Sequence, residues 1–224
     1  MIAPTRAVFF DLDGTLLDSI RLIIDSYHHA LAVHGLPART DDHWLAGIGT
    51  PLRVQFRDWA EEPALFESLI AVYRDYNIAN HDSRVQAYPG AVEMVREVRR
   101  AGLRAGLVTS KQRAGAERGL RFLKLEDEMQ VIVAADDVTN PKPHPEPLLI
   151  AAERLGTDPR EGIYVGDSVH DMECGRAAGM RTAAALWGPF DRRQLAATRP
   201  DYWLEAPRDL RRLLGREAER QSGS

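Results

Sequence analysis

The hydrophobic positions first follow the pattern of a strand and then that of helices. Residues 6–10 are mostly apolar and run directly into Asp11-Leu12-Asp13-Gly14-Thr15, which predicts a buried strand that ends at a polar turn. From residue 18 onward, hydrophobic residues recur at helical spacing, most clearly in residues 20–34, 44–56 and 63–76, and no strand of comparable quality interrupts them. We therefore expect an all-helical insertion over residues 18–85.

After this insertion the pattern alternates between helices and strands. Helices are predicted at residues 90–101, 114–123, 146–155 and 171–178, and strands at residues 104–109, 131–134, 162–166 and 181–186. This alternation is typical of an α/β protein in which helices cover both faces of a parallel sheet, with ligands bound at the carboxyl ends of the strands. Residues 215–224 are polar and aperiodic, and we expect them to form a flexible tail.

Composition narrows the class of protein. The chain has 224 residues, of which 44% are hydrophobic and 28% charged, as is usual for soluble folded proteins. No apolar run approaches the roughly 20 residues that cross a bilayer, and the start lacks a signal-peptide pattern, so we expect a cytoplasmic protein without a membrane partner. The net charge is -4 and no basic tract indicates nucleic acid. Cys174 is the only cysteine, which excludes an internal disulfide, and no pattern predicts the oligomeric state.

Asp11 and Asp13 are the first candidate catalytic residues. Because they are two positions apart in near-extended chain, their carboxylates should face the same side. At ~5 Å and an effective dielectric constant of ~20, two ionised carboxylates repel by about 3 kcal/mol, so one must be protonated or a cation must lie between them. An ionised Asp11 could attack phosphorus, and Asp13 could protonate the leaving oxygen and later deprotonate water.

A second acidic group, Asp167 and Asp171, follows the predicted strand at residues 162–166. Magnesium prefers oxygen ligands, which Asp11, Asp167 and the main-chain carbonyl of Asp13 could supply. Asp171 lies about one helical turn after Asp167. It could orient a water or the ammonium of Lys142, contact the metal, or simply begin the helix.

Phosphate-binding candidates lie at two further points. Thr109 and Ser110 end a predicted strand and offer hydroxyl and backbone N–H groups to phosphate oxygens. Lys142 lies between two prolines that restrict its loop, and it is one of only three lysines. Its ammonium could neutralise both the phosphate and the crowded carboxylates. Lys111, Arg53, Arg57, His81 and His170 are weaker candidates for substrate contact.

Taken in order, these residues resemble the four motifs of the haloacid dehalogenase (HAD) superfamily: Asp11-x-Asp13-Gly14-Thr15, Thr109 after an apolar strand, Lys142-Pro143, and Gly166-Asp167-Ser168-x-x-Asp171. The resemblance implies a Rossmann-like core over residues 1–17 and 86–214 and a C1 cap over residues 18–85. It also implies a Mg²⁺-dependent phosphatase that acts on a small phosphorylated substrate through an aspartyl phosphate on Asp11.

Two narrower likenesses concern the substrate. Residues 47–52 and 88–90 are similar to the phosphoglycolate phosphatase group, and residues 73–77, 80–82, 136–138, 142–147 and 200–202 are similar to bacterial HAD-type inorganic pyrophosphatases. Dehalogenases of the superfamily lack the aspartate that Asp13 supplies. Phosphonatases and phosphoglucomutase-like members place a lysine in the cap, and residues 17–86 contain none.

The alternatives to a phosphoglycolate phosphatase or a pyrophosphatase are a sugar phosphomutase, a nucleotide or sugar phosphatase, and a non-catalytic binding protein. A non-catalytic protein would be expected to have lost at least one of Asp11, Asp13, Lys142 and Asp167, and all four are present.

Overall fold

Eight strands in two sheets form the framework of the computed structural model, which describes residues 3–222. The strands are β1 (Ala7–Phe10), β2 (Leu17–Asp18), β3 (Gln86–Ala87), β4 (Arg104–Val108), β5 (Val131–Val133), β6 (Gly162–Gly166), β7 (Arg181–Ala185) and β8 (Tyr202–Leu204). Six of them form one parallel sheet in the order β5-β4-β1-β6-β7-β8. Because the chain leaves β1 towards β4 and later returns to its other side as β6, a crevice opens at the carboxyl end of β1.

Helices cover both faces of this sheet, which confirms the predicted α/β fold. The helices outside the insertion are α5 (Ala91–Arg100), α6 (Arg113–Leu123), α7 (Glu146–Leu155), α8 (Val169–Ala177), α9 (Arg192–Leu195) and α10 (Asp209–Ser222). In β1, Val8 and Phe10 belong to one hydrophobic cluster and Ala7 and Phe9 to another, because successive side chains point to opposite faces. All four are fully buried, as expected for the central strand of a covered parallel sheet.

The insertion between β1 and β4 is helical. It contains α1 (Ile20–Val33), α2 (Asp41–Ala46), α3 (Leu52–Gln55) and α4 (Pro63–Arg84), and the short antiparallel pair of β2 with β3 lies where the chain enters and leaves it. Its core surrounds Tyr27, whose ring stacks on Trp44 with centroids 4.3 Å apart and meets Phe56 edge-on at 5.3 Å.

One helix prediction inside the insertion needs correction. A single helix over residues 44–56 is wrong: the chain forms α2 and α3, with a loop between them. Gly49 has a φ of +93°, which no helical residue adopts, and Pro51, directly before α3, has the φ and ψ of an extended residue. In contrast, α4 contains residues 63–76, where the helical pattern is among the clearest, and continues from there to Arg84.

The end of the chain also differs from expectation. Neither β8 nor α10 was predicted, and α10 extends to Ser222, through most of the segment for which we expected an irregular tail. Residues 223–224 lie outside the described residues. Within the described part of the chain, no helix is both long enough and apolar enough to span a bilayer.

Candidate functional site

Polar side chains meet at the carboxyl ends of three neighbouring strands. Asp11 directly follows β1, Thr109 follows β4 and Asp167 follows β6. The sheet hydrogen bonds continue one residue beyond the strands, since the amide of Asp11 donates to the Val165 carbonyl at 2.9 Å. The parallel sheet therefore brings together residues that are far apart in sequence.

Lys142 supplies a buried ammonium to this group. Its Nζ lies 2.8 Å from Asp11 Oδ1, 2.7 Å from Asp171 Oδ1 and 2.8 Å from the hydroxyl oxygen of Tyr164. Burial favours the neutral amine, but the charges of Asp11 and Asp171 outweigh it and raise the pKa of Lys142 above its usual value. Lys142 is therefore a fixed cation shared by two carboxylates.

Asp171 is held by a complete set of donors. Ser168 donates to Asp171 Oδ2 through its hydroxyl at 2.6 Å and its amide at 3.0 Å, and it caps α8 in return. Burial opposes ionisation of Asp171, but the charge and hydrogen bond of Lys142 and the bonds from Ser168 lower its pKa. Asp171 thus both begins the helix and positions Lys142.

Asp11 and Asp167 are two buried carboxyls whose charges the single ammonium of Lys142 does not fully balance. Burial raises the pKa of Asp11 to about 7 against the opposing charge of Lys142, and burial followed by the charges of Asp171 and Asp11 raises the pKa of Asp167 well above its usual value. Asp167 Oδ1 accepts a hydrogen bond from the hydroxyl of Thr15 at 2.7 Å, whereas its Oδ2 is buried and has no partner among the described residues.

This pair of carboxyls fits a divalent cation. Oxygens of Asp11, Asp167 and Asp171 lie within 4.8 Å of one another. Asp171 already accepts from Lys142 and Ser168, so the oxygens that a cation would neutralise are those of Asp11 and Asp167. The main-chain carbonyl of Asp13 remains a predicted third ligand.

The carboxylate of Asp13 has its own partners. Lys111 Nζ lies 2.8 and 3.0 Å from its two oxygens, and the hydroxyl of Ser19 donates to Oδ1 at 2.5 Å. Asp13 lines the same cavity as Asp11, as the motif suggested. Lys111 balances the charge of Asp13, whereas Lys142 contacts Asp11.

Thr109 and Ser110 lie together at the end of β4, with different contacts. Thr109 is buried, and its hydroxyl accepts a hydrogen bond from the amide of Lys111 at 3.1 Å. The hydroxyl of Ser110 donates to the Gly49 carbonyl at 2.6 Å and so joins the core to the loop after α2. Both residues line the cavity.

A cavity of about 430 Å³ lies between the insertion and this edge of the sheet. Four of the predicted site residues line it, together with residues of α1, α3 and α4 and of the loop at 47–51; the principal lining residues are Asp11, Asp13, Tyr27, Ile48, Arg53, Gln55, Tyr73, Arg74, Asn77, Thr109, Ser110, Lys111, Arg118 and Arg121. Lys142, Asp167 and Asp171 are buried and are not among its lining residues. Arg57, His81 and His170 are not among its lining residues.

Some contacts of the site were not predicted. The hydroxyl of Tyr164 accepts from Lys142 and lies 2.9 Å from Asp171 Oδ1, but in the sequence this tyrosine is only one residue of an apolar strand. Thr15 belongs to the first motif, so its place at the end of β1 was predictable, but its hydrogen bond to Asp167 was not. The rarity of lysine was the one available signal for the pairing of Lys111 with Asp13.

Comparison with known proteins decides the family. The family model described as haloacid dehalogenase-like hydrolase matches residues 8–185. This chain belongs to the haloacid dehalogenase-like hydrolases. It is therefore a HAD-family enzyme, and the resemblance drawn from the four motifs is confirmed.

Individual relatives of this HAD hydrolase agree with that assignment. Pyrophosphatase PpaX from Bacillus cereus is 41% identical over 205 residues, which cover 92% of this chain and 94% of the relative. Among solved structures, a hydrolase from Pseudomonas syringae has a TM-score of 0.84 at 27% identity, covering 95% of this chain and 99% of that one. A predicted phosphoglycolate phosphatase from Haemophilus somnus has a TM-score of 0.85 at 22% identity over 95% and 99% of the two chains, a likeness of fold.

Proposed function

We propose that this HAD hydrolase releases phosphate from a small phosphorylated compound through an aspartyl phosphate on Asp11. The observation that carries the proposal is the pair of buried carboxyls at Asp11 and Asp167: Asp11 contacts the fixed ammonium of Lys142, and one oxygen of Asp167 has no partner among the described residues. A nucleophile, a cation site and a phosphate-binding ammonium are the parts that phosphoryl transfer requires.

In this proposal Asp11, Asp167 and the main-chain carbonyl of Asp13 hold a Mg²⁺ ion. When bound, the ion would withdraw charge from phosphoryl oxygens and favour the ionised forms of both carboxyls. Asp171 supports the site through Lys142. Its hydrogen bonds leave it poorly suited to be a direct ligand.

The side chains of the site then divide the work of transfer. Lys142 holds Asp11 Oδ1 in place, while Lys142, the hydroxyl of Thr109 and the amide of Ser110 bind phosphoryl oxygens. Asp11 attacks phosphorus, and the bond from phosphorus to the leaving oxygen breaks. Where the leaving oxygen needs a proton, Asp13 enters the step protonated and gives that proton away; its carboxylate then takes a proton from the water that hydrolyses the aspartyl phosphate.

The helical insertion, residues 18–85, acts in this proposal as a C1 cap over a core formed by residues 1–17 and 86–214. The cap contributes one wall of the cavity and contacts the core through the bond from Ser110 to the Gly49 carbonyl. Enclosing the cavity would keep bulk water from the aspartyl phosphate and restrict the substrate to a small molecule.

Pyrophosphate is the first candidate substrate. Its support is the relative named pyrophosphatase PpaX, with 41% identity across more than nine-tenths of both chains. Phosphoglycolate is the competing compound, because residues 47–52 and 88–90 resemble the group that hydrolyses it.

The test is a panel of phosphate-release assays with Mg²⁺ that compares kcat/KM for pyrophosphate, phosphoglycolate, glucose 6-phosphate and p-nitrophenyl phosphate. We expect the highest value for pyrophosphate. A higher value for phosphoglycolate would reject the substrate, and no Mg²⁺-dependent release from any compound would reject the reaction itself.

A further inference from the structure

Most cationic side chains that line the cavity already face an acidic partner. Three such pairs have oxygen and nitrogen atoms within hydrogen-bond distance: Arg53 with Glu67, Lys111 with Asp13, and Arg118 with Asp82. A lining cation that is held in such a pair is less free to turn towards a further group of the substrate. The lining cations outside these three pairs are therefore the candidates for contact with such a group.

Arg74 and Arg121 also line the cavity and have no such partner within residues 3–215; Arg121 is exposed, whereas Arg74 is half-buried. Arg74 lies on α4 and lines the cavity together with Asn77, which is three residues further on and therefore on the same side of the helix. Within residues 3–215, its side chain makes no hydrogen bond or ion pair; its charge only contributes to the lowered pKa of Glu67, a residue that Arg53 holds through two bonds. A half-buried guanidinium with five unshared donors is a site for an anion.

The other residues that the cap contributes to the cavity lining also favour an anionic ligand. The amide nitrogen of Gln55 is buried without a hydrogen-bond partner in the described part of the chain, and Gln55 lines the same cavity. The lining residues that the cap supplies include Arg53 and Arg74 but no aspartate or glutamate. This wall thus offers donors and no carboxylate, opposite the core wall that carries Asp11 and Asp13.

We propose that Arg74 binds a second anionic group of the substrate, on the part that leaves. This inference rests on the proposed function and deepens it: the substrates are small phosphates that carry a further phosphate or carboxylate. A guanidinium matches the planar carboxylate and the phosphate with two parallel hydrogen bonds. With pyrophosphate, the bond from Asp11 oxygen to one phosphorus forms, the bond from that phosphorus to the bridging oxygen breaks, and Arg74 holds the orthophosphate that departs with that oxygen.

Two variants separate this role from a general effect of charge. Arg74→Gln removes the proposed contact, and Arg57→Gln removes an equal charge from an exposed position of the cap outside the cavity. For Arg74→Gln we expect kcat/KM to fall about 10- to 100-fold for pyrophosphate and phosphoglycolate, in line with the loss of a charge-assisted hydrogen bond. With p-nitrophenyl phosphate, whose nitrophenyl group is uncharged, the change should be under about threefold.

Arg57→Gln should leave all three values unchanged, and Arg74→Lys should recover part of the loss. An equal loss on the charged and uncharged substrates, or no loss on either, would overturn the role of Arg74.

A binding measurement keeps this test independent of catalysis. By titration calorimetry with Mg²⁺, the native chain should bind methylenediphosphonate at least about tenfold more tightly than methylphosphonate, and Arg74→Gln should abolish that difference. If the difference persists in Arg74→Gln, or is absent from the native chain, the inference fails even if phosphate release is observed. If the difference behaves as expected but no compound is hydrolysed, the proposed reaction fails and the anion site stands.

Discussion

Lys142 is buried between the carboxylates of Asp11 and Asp171 and contacts both within 2.8 Å. Replacing it with methionine leaves two buried carboxyls without their cation. Because breaking a buried ion pair from one side is strongly destabilising, Lys142→Met should lower the free energy of unfolding by about 3 kcal/mol in urea titrations. Lys124→Met at an exposed position is the matched control and should change it by less than about 0.5 kcal/mol. Equal effects of the two variants would show that the ammonium is not a structural centre of the site.

Individual site residues were predictable where a strand delivers them. Asp11, Thr109 and Asp167 each follow an apolar strand, and parallel strands end at one edge, so their convergence followed from sequence. The bond from Ser110 to the Gly49 carbonyl was not predictable, because it depends on how the insertion folds back over the sheet. The hydroxyl of Tyr164 escaped prediction for a similar reason, since its partners come from other elements.

The turn after β1 depends on Gly14, which has a φ of +89°. A Cβ there would lie 2.5 Å from Asp167 Oδ2, which has no partner among the described residues, whereas a Cβ on Gly35, at φ +62°, would meet none of their atoms within 4 Å. Gly14→Ala and Gly35→Ala should therefore share a backbone cost of about 1 kcal/mol in unfolding experiments. Only Gly14→Ala should also abolish Mg²⁺ binding, measured by calorimetry. Undiminished Mg²⁺ binding by Gly14→Ala would exclude this oxygen as a ligand.

The end of α4 carries a buried histidine, His81, whose Nδ1 lies 2.7 Å from Asp82 Oδ1. Burial lowers the pKa of His81 below its usual 6.5, and the bond to Asp82 only partly offsets this. Because the unfolded chain then binds the proton more readily, the stability due to neutral His81 is present above about pH 6.5 and is lost as the pH falls below it.

Urea unfolding at several pH values between about 7.5 and 5 tests the titration of His81. The native chain should lose more stability over this range than His81→Gln does, while the exposed control His43→Gln should follow the native chain. Parallel pH profiles for the native chain and His81→Gln would contradict the assignment.

Helices and strands were predictable to different degrees. The elements predicted between residues 90 and 186 agree closely with the structure because their apolar periods are strong and each is buried against the sheet. The spacing of hydrophobic residues over 44–56 fits one helix, but Gly49 and Pro51 divide this segment into α2 and α3. The strands β2, β3 and β8, which have two or three residues each, are too short to show a period.

For the molecule as a whole, Mg²⁺ should act as a stabilising ligand. A ligand that binds only the folded state at about 100 times its Kd adds about 2.7 kcal/mol to the free energy of unfolding, which for a chain of this size raises the Tm by roughly 5–10 °C. Thermal unfolding with and without Mg²⁺, and after chelation, measures this shift. Asp167→Asn should abolish the shift without lowering the Tm of the metal-free protein, because it removes a buried carboxyl with an unmet charge. The exposed control Asp127→Asn should keep the shift.

Rapid acid quenching tests directly whether Asp11 is the nucleophile, the central claim about this enzyme. The native protein is mixed with Mg²⁺ and its best substrate, quenched within one turnover, and digested for mass spectrometry. We predict one covalent phosphoryl group on the peptide that contains Asp11, no such group in Asp11→Asn, and phosphate release by Asp11→Asn at less than about a thousandth of the native rate. Phosphate release by Asp11→Asn at a rate close to the native one would contradict the account.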